Sequence, residues 1–155
     1  MLTKNPLFPL RLFMFFISAI SSMVISFFPI YFQDKGLTTS QIGWFLAICP
    51  FIGLIAQPIW GYTSDKYKTV KKVLFICLIG LVASVIWLFQ IDSFLWVLIV
   101  GSVFFFFFSP IIPLADNLGK RLSQLHSVTF GSIRMWGSIG FALISLVSGF
   151  LLSKF

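Results

Sequence analysis

Asp116 and Arg134 are the two residues whose types and setting most demand a chemical account. Asp116 follows a run of 23 uncharged residues, and Arg134 precedes a run of 19. A charge in or beside hydrocarbon is costly unless it is paired or wet. Two readings are open. In one, both groups sit at a water interface, Asp116 at a helix end and Arg134 among headgroups. In the other, they pair inside an access cavity. There the guanidinium fork grips a carboxylate bidentately and can exchange it for a substrate carboxylate or hydroxyl. That is binding chemistry, with no covalent step.

A second polar stretch reads Gly61-Tyr62-Thr63-Ser64-Asp65-Lys66-Tyr67-Lys68, followed by Lys71-Lys72. A carboxylate at an interfacial helix end, as Asp65 would be, can bond a neighbouring helix N-terminus or pair with a base. The lysines read most simply as topology anchors. The single histidine, His126, reads as a surface residue. Cys49 and Cys77 lie in apolar runs, match no metal or redox spacing, and read as small hydrophobes. The sequence shows no acidic cluster, Cys/His cluster or glycine-rich phosphate loop, so no enzyme and no metal site are expected.

The elements that must hold these groups follow from composition. The 155 residues are 59% hydrophobic and 10% charged, with 21 Phe, four acidic residues and a mean hydropathy of +1.04. So few charges cannot cover a soluble surface, which excludes a soluble enzyme, a disordered chain and a nucleic-acid-binding domain. The net charge of +7 is a matter of topology, because the 11 basic residues are separated by long uncharged runs. Those runs are 12–33, 36–64, 73–91, 93–115 and 135–153. About 20 helical residues cross a 30 Å hydrocarbon core, and the alternation of a membrane barrel strand is missing. The spacing predicts an all-α membrane protein with five transmembrane helices, near 11–32, 40–63, 72–91, 93–116 and 132–153.

The first run is longer than a signal-peptide core and ends Phe27-Phe28-Pro29-Ile30-Tyr31-Phe32, so a retained helix is expected. Lys4, Arg11, Lys66, Lys68, Lys71, Lys72, Lys120, Arg121 and Arg134 fall on one side of this topology, with Lys35 and Lys154 on the other. The positive-inside rule then places the N-terminus in the cytoplasm. Thr39 or Ser40 is expected to cap the second helix, and Asp92 or Ser93 the fourth. Trp87 and Trp96 flank the turn before the fourth helix, as interfacial aromatics do. Pro50 and Pro58 in the second helix, and Pro110 and Pro113 late in the fourth, predict kinks. Phenylalanines 104–108 read as lipid-facing and helix-packing surface. Ser138, Ala142, Ser145 and Gly149 are expected to bring another helix close.

Gly61, Asp65 and Lys66 lie in a loop that resembles the cytoplasmic signature of the major facilitator superfamily, Gly-x-x-x-Asp-(Arg/Lys)-x-Gly-(Arg/Lys). Lys68 stands where that signature has Gly, and Thr69 where it has a base. Pro113-Leu114-Ala115-Asp116-Asn117 and Phe130-Gly131-Ser132-Ile133-Arg134-Met135-Trp136-Gly137-Ser138-Ile139-Gly140-Phe141 resemble the matching region of one branch. It is the phenylpropionate-permease-like branch, related to proton-linked nucleoside and lactose permeases. In the lactose permeases, a carboxylate and an arginine at the same separation contact the sugar. The resemblance therefore implies substrate contact by Asp116 and Arg134, with Asn117 beside them. It puts Phe141 where a stacking Trp stands there, which argues against a galactoside.

The resemblance covers roughly residues 8–155 and implies part of the N-terminal six-helix bundle of a transporter. The implied function is proton-coupled symport of a small organic solute, in a multi-pass protein of a bacterial cell membrane. Gly61, Asp65 and Lys66 would form a conformational switch loop. A proton gradient would drive the process, and no other cofactor is implied. The family fold has 12 helices, so a truncated or split product, inactive alone, is expected. Its partners would be the solute, membrane lipid and a second chain with the remaining helices; no nucleic acid is expected. The alternative is a non-transporting membrane packing or assembly protein, with no polar cavity.

Overall fold

The computed structural model describes residues 7–152. Lys4, Ser153 and Lys154, used in the topology and span reading above, lie outside them. The described residues form α1 (Leu7–Asp34), α2 (Thr39–Lys66), α3 (Val70–Leu88), α4 (Phe94–Phe108), α5 (Ile111–Leu125) and α6 (Phe130–Leu152). Five stretches are long and apolar enough to cross a membrane, the fourth being Phe94–Leu125, which contains both α4 and α5. The chain is an all-α, multi-pass membrane protein.

The fourth span is therefore two helices, where the sequence predicts one helix over 93–116. Proline explains the break. Pro110 and Pro113 lack N–H groups, so the carbonyls of Phe106 and Ser109 lose their helical donors within one turn. The ladder restarts when the Leu114 N–H donates to the Pro110 carbonyl at 3.0 Å. Pro29, Pro50 and Pro58 stay inside continuous helices.

Contacts divide the chain into two units, one of residues up to Tyr31 and from Ala115 onward, the other Phe32–Leu114. In the second unit, α4 packs against α2 and α3. Phe45 and Phe104 are buried, and Phe45 stacks edge-on with Phe32 and Phe105. Trp60 meets Phe106 and Phe107 at 5.8 Å between ring centroids. A Cβ on Gly80 would lie 2.6 Å from the Phe107 ring, so that glycine seats an aromatic side chain. The phenylalanine run thus serves mainly as packing surface. Cys49 and Cys77 are fully buried. Gln57 donates to the Ser109 hydroxyl at 2.8 Å, tying α2 to the α4/α5 break.

In the first unit, Leu7, Leu10, Met14, Ile17 and Ser21 are buried on α1. Their alternating spacing of three and four makes one helical stripe. On α6 the buried stripe is Ile133, Gly137 and Gly140. A Cβ on Gly140 would run into the Phe15 carbonyl, and one on Gly137 would lie 2.8 Å from the Ser18 hydroxyl. Close approach of α6 to α1 is therefore made by Gly137 and Gly140. Among the described residues Ser138, Ala142, Ser145 and Gly149 are exposed, so the close approach expected of them is not the one made to α1. They lie on the opposite face of α6, and the sequence pattern of small residues does not say which face meets a neighbour.

Three turns end helices the same way. Gly36 (φ 83°), Lys68 (φ 50°) and Ser127 (φ 51°) each hold the left-handed region just past a helix C-terminus. The next N–H then reaches back five residues, from Leu37 to Phe32, Thr69 to Ser64 and Val128 to Ser123. The cap of α2 is Thr38, one residue before the expected pair, in a reciprocal bond with Gln41. Ser93 occupies the cap position of α4 but makes no side-chain cap bond. Asp92 accepts from Lys35 at 2.5 Å, joining the turn before α2 to the turn before α4.

Candidate functional site

The fourth span ends in α5, which carries Asp116, and α6 opens with Arg134 on its second turn. Both belong to the first unit. A Cβ on Gly119, one turn beyond Asp116, would touch the Phe130 ring at 3.0 Å and Met14 at 3.6 Å. This glycine lets α5 pass close to the start of α6 and to α1. That approach aligns Asp116 with Arg134, and Arg134 Nη1 donates to Asp116 Oδ2 in an ion pair.

The two partners differ in exposure. The Arg134 side chain is 49% exposed and that of Asp116 is 22%. The guanidinium thus has N–H groups facing outward while one is committed to the carboxylate. Asp116 Oδ1 is buried without a hydrogen-bond partner, as are Arg11 Nε and the hydroxyl of Ser22 in the same unit. Polar atoms in a membrane interior require partners, so this unit has unspent hydrogen-bonding capacity. Arg11 and Ser22 were not singled out from the sequence. Their spacing of 11 residues, three helical turns, was the signal that they share a face of α1.

Asn117 is half-buried on α5, next to Asp116. Phe141 is 42% exposed on α6. It lies seven residues beyond Arg134 and so shares its helix face. Among the described residues neither makes a hydrogen bond or ring contact with the ion pair.

Gly61, Asp65 and Lys66 are in the second unit. Gly61 lies in the penultimate turn of α2, and a Cβ there would meet nothing within 4 Å among the described residues. Asp65 is exposed in the last turn, where its carbonyl accepts from the Lys68 N–H at 3.2 Å. Lys66 lies 5.9 Å from the ring centroids of both Tyr62 and Tyr67. The loop residues are thus organised around a helix C-terminus. His126 is exposed at the end of α5, its N–H bonded to the Leu122 carbonyl at 3.1 Å. Among the described residues no group of three or more His, Cys, Asp or Glu is placed to hold a metal.

Five apolar spans, with a charged pair joining the helices at the end of the fourth and the start of the fifth, define a multi-pass membrane protein. The sequence signature of the MFS_1 like family matches residues 7–155, and the chain belongs to that family. It is 31% identical over 122 residues to "Uncharacterized transporter YwbF" of Bacillus subtilis (strain 168), covering 76% of this chain and 29% of that protein. It is 28% identical over 154 residues to "Maltose permease" of Geobacillus stearothermophilus, covering 96% of this chain and 37% of the permease. It is 28% identical over 136 residues to "Probable 3-phenylpropionic acid transporter" of Escherichia coli (strain K12), covering 84% and 35%. The chain spans about a third of the length of the curated relatives it matches. No solved structure gives a significant match.

Proposed function

We propose that this chain forms part of the substrate path of a secondary transporter for a small organic solute, with Asp116 and Arg134 as its polar centre. The observation that carries this reading is the ion pair itself. It joins α5 to α6 within the first unit, and its arginine is half exposed while one carboxylate oxygen is buried without a partner. A pair that only anchored helix ends at headgroups would have no reason to bury one carboxylate oxygen unpartnered, since desolvating it is costly. In transport, the open guanidinium N–H groups take a carboxylate or hydroxyl of the solute. Asp116 releases or shares the arginine in exchange, and carries the coupled proton. Asn117 lies beside the pair, and Phe141 offers an apolar face one helical repeat beyond Arg134.

The phenylpropionate-permease-like branch is the finer assignment. It is supported by the Phe-Gly-x-x-Arg-Met-aromatic-Gly stretch at 130–137 and by the phenylpropionic acid transporter among the relatives. The N-terminus is cytoplasmic, as the basic residues at the α2–α3 and α5–α6 turns indicate. Gly61, Asp65 and Lys66 act as the loop that changes contacts between conformations, and the open space over Gly61 admits a neighbouring helix. A second polypeptide segment carrying the remaining helices completes the path.

The test is uptake and equilibrium binding by the completed carrier, screened over aromatic acids, nucleosides and disaccharides. Asp116→Asn and Arg134→Lys are compared with the wild type. Lysine keeps the charge and loses the fork, so Arg134→Lys is expected to weaken binding about tenfold or more with normal membrane insertion. Wild-type binding and uptake in both variants would overturn the assignment.

A further inference from the structure

We propose that the α2–α3 end of the second unit, together with the outer face of α3, binds one anionic phospholipid. The inference does not rest on the transport reading.

The head of the site is a cluster of ammonium groups. Lys66 ends α2, Lys68 sits in the left-handed turn, and Lys71 and Lys72 lie in the first turn of α3. All four are exposed. Asp65 is the one carboxylate in this stretch. Among the described residues, none of the four lysines lies within ion-pairing distance of a carboxylate. The turn is held by backbone bonds, from Lys68 to Asp65 at 3.2 Å and from Thr69 to Ser64 at 3.3 Å. The cations are therefore presented on a defined frame. Tyr62 and Tyr67, 68% and 64% exposed, flank Lys66. Exposed tyrosines with an apolar ring and a phenolic donor suit headgroup depth.

The tail of the site lies in line with the head. Lys72, Phe75, Ile76, Ile79, Val82 and Ile86 are spaced along α3 so that they share one face of the helix. The five apolar members are 50–65% exposed. A groove of about 390 Å³ runs along this face, lined by Leu78, Ile79, Val82, Ala83 and Ile86. From Lys72 to Ile86 the helix rises about 21 Å, more than the roughly 15 Å depth of one leaflet's hydrocarbon. A cationic head above an apolar groove on the same helix face matches an amphiphile. Free phosphate would engage only the lysines, and a zwitterionic headgroup brings its own ammonium. An anionic phospholipid satisfies both parts.

A chain whose lysines act only during insertion would show no lipid preference once inserted. The purified chain is titrated in neutral detergent with phosphatidylglycerol, phosphatidylcholine of the same acyl chains, and inorganic phosphate, with bound lipid counted by native mass spectrometry. Phosphatidylglycerol is expected to bind about tenfold more tightly than phosphatidylcholine, and phosphate not to displace it. Replacing Lys66, Lys68, Lys71 and Lys72 together by Gln removes the preference, and replacing all four by Arg keeps it. Ala83→Phe, which fills the groove, weakens phosphatidylglycerol binding. Lys120→Gln, which removes a cation from α5, leaves the preference within about twofold. Raising salt from roughly 50 to 500 mM on the wild type lowers the preference, a readout independent of whether the Gln variant folds. Equal binding of the two lipids, displacement by phosphate, a preference unchanged by salt, or equal loss in Lys120→Gln would each overturn the proposal.

Discussion

Lys68 holds a φ of 50°, a conformation that costs an L-residue with a Cβ roughly 1–2 kcal/mol and costs glycine almost nothing. The superfamily signature that this loop resembles has glycine at that position. The structure supplies a reason: the residue is the left-handed link that lets Thr69 close the last turn of α2. Lysine there is tolerated because the backbone bonds at both ends of the turn over-determine it. Lys68→Gly is expected to stabilise the chain by about 1 kcal/mol, read as a higher unfolding midpoint in neutral detergent. Lys68→Ala, which keeps the Cβ, should gain nothing. At this same scale Asp116 shows what pairing leaves undone. One oxygen meets Arg134 and the other is buried without a partner, a division no sequence pattern discloses.

At the level of helices, the first unit is decided by which face of α6 meets α1. Gly140 approaches the Phe15 backbone so closely that an added methyl has no room, whereas Gly149 looks onto open space among the described residues. The obstacle at Gly140 is backbone, which cannot swing aside as a side chain can. Gly140→Ala is therefore expected to destabilise the chain by about 1–3 kcal/mol, and Gly149→Ala to stay within about 0.5 kcal/mol of the wild type. Equal effects in detergent unfolding would mean that both faces are equally packed. The pairs of small residues four apart, Ser138/Ala142 and Ser145/Gly149, lie away from α1, and the two glycines that meet α1 are three apart, so the periodicity alone did not mark this contact. The fourth span shows the converse. Its two prolines were legible as a disturbance, and the placement of the break at Ser109 and Pro110, braced by Gln57, needed the neighbouring helix.

For the molecule as a whole, the apolar spans and the asymmetric charge set a topology open to direct measurement. Single cysteines at position 68, after α2, and position 92, before α4, flank the 19-residue α3. They are expected to label from opposite sides of the membrane, position 68 from the cytoplasm. Cys49 and Cys77 are fully buried and should give little background to impermeant reagents. Labelling of position 92 from the cytoplasm would reverse the orientation, and labelling of both from one side would remove α3 as a span. Trp87 and Trp96, both more than half exposed beside the α3–α4 turn, mark the opposite interface from Lys71 and Lys72.

The sequence by itself determined the class of protein, the number of spans and, apart from the end of the fourth, where they lie. These follow from summed hydropathy over about 20 residues, a quantity that no tertiary contact alters. It also marked Asp116 and Arg134, because a charge at the border of a long apolar run is conspicuous on cost alone. What only the tertiary structure decided is which groups meet. Helix faces, the partner of each carboxylate oxygen and the contact made by each glycine depend on how helices approach one another. Lipid tails are as apolar as leucine, so hydropathy in a membrane chain does not distinguish a face that meets protein from one that meets lipid. Steric fit makes that choice here, through Gly137 and Gly140 on α6 and Gly119 on α5, and it is visible only once the backbones are in place.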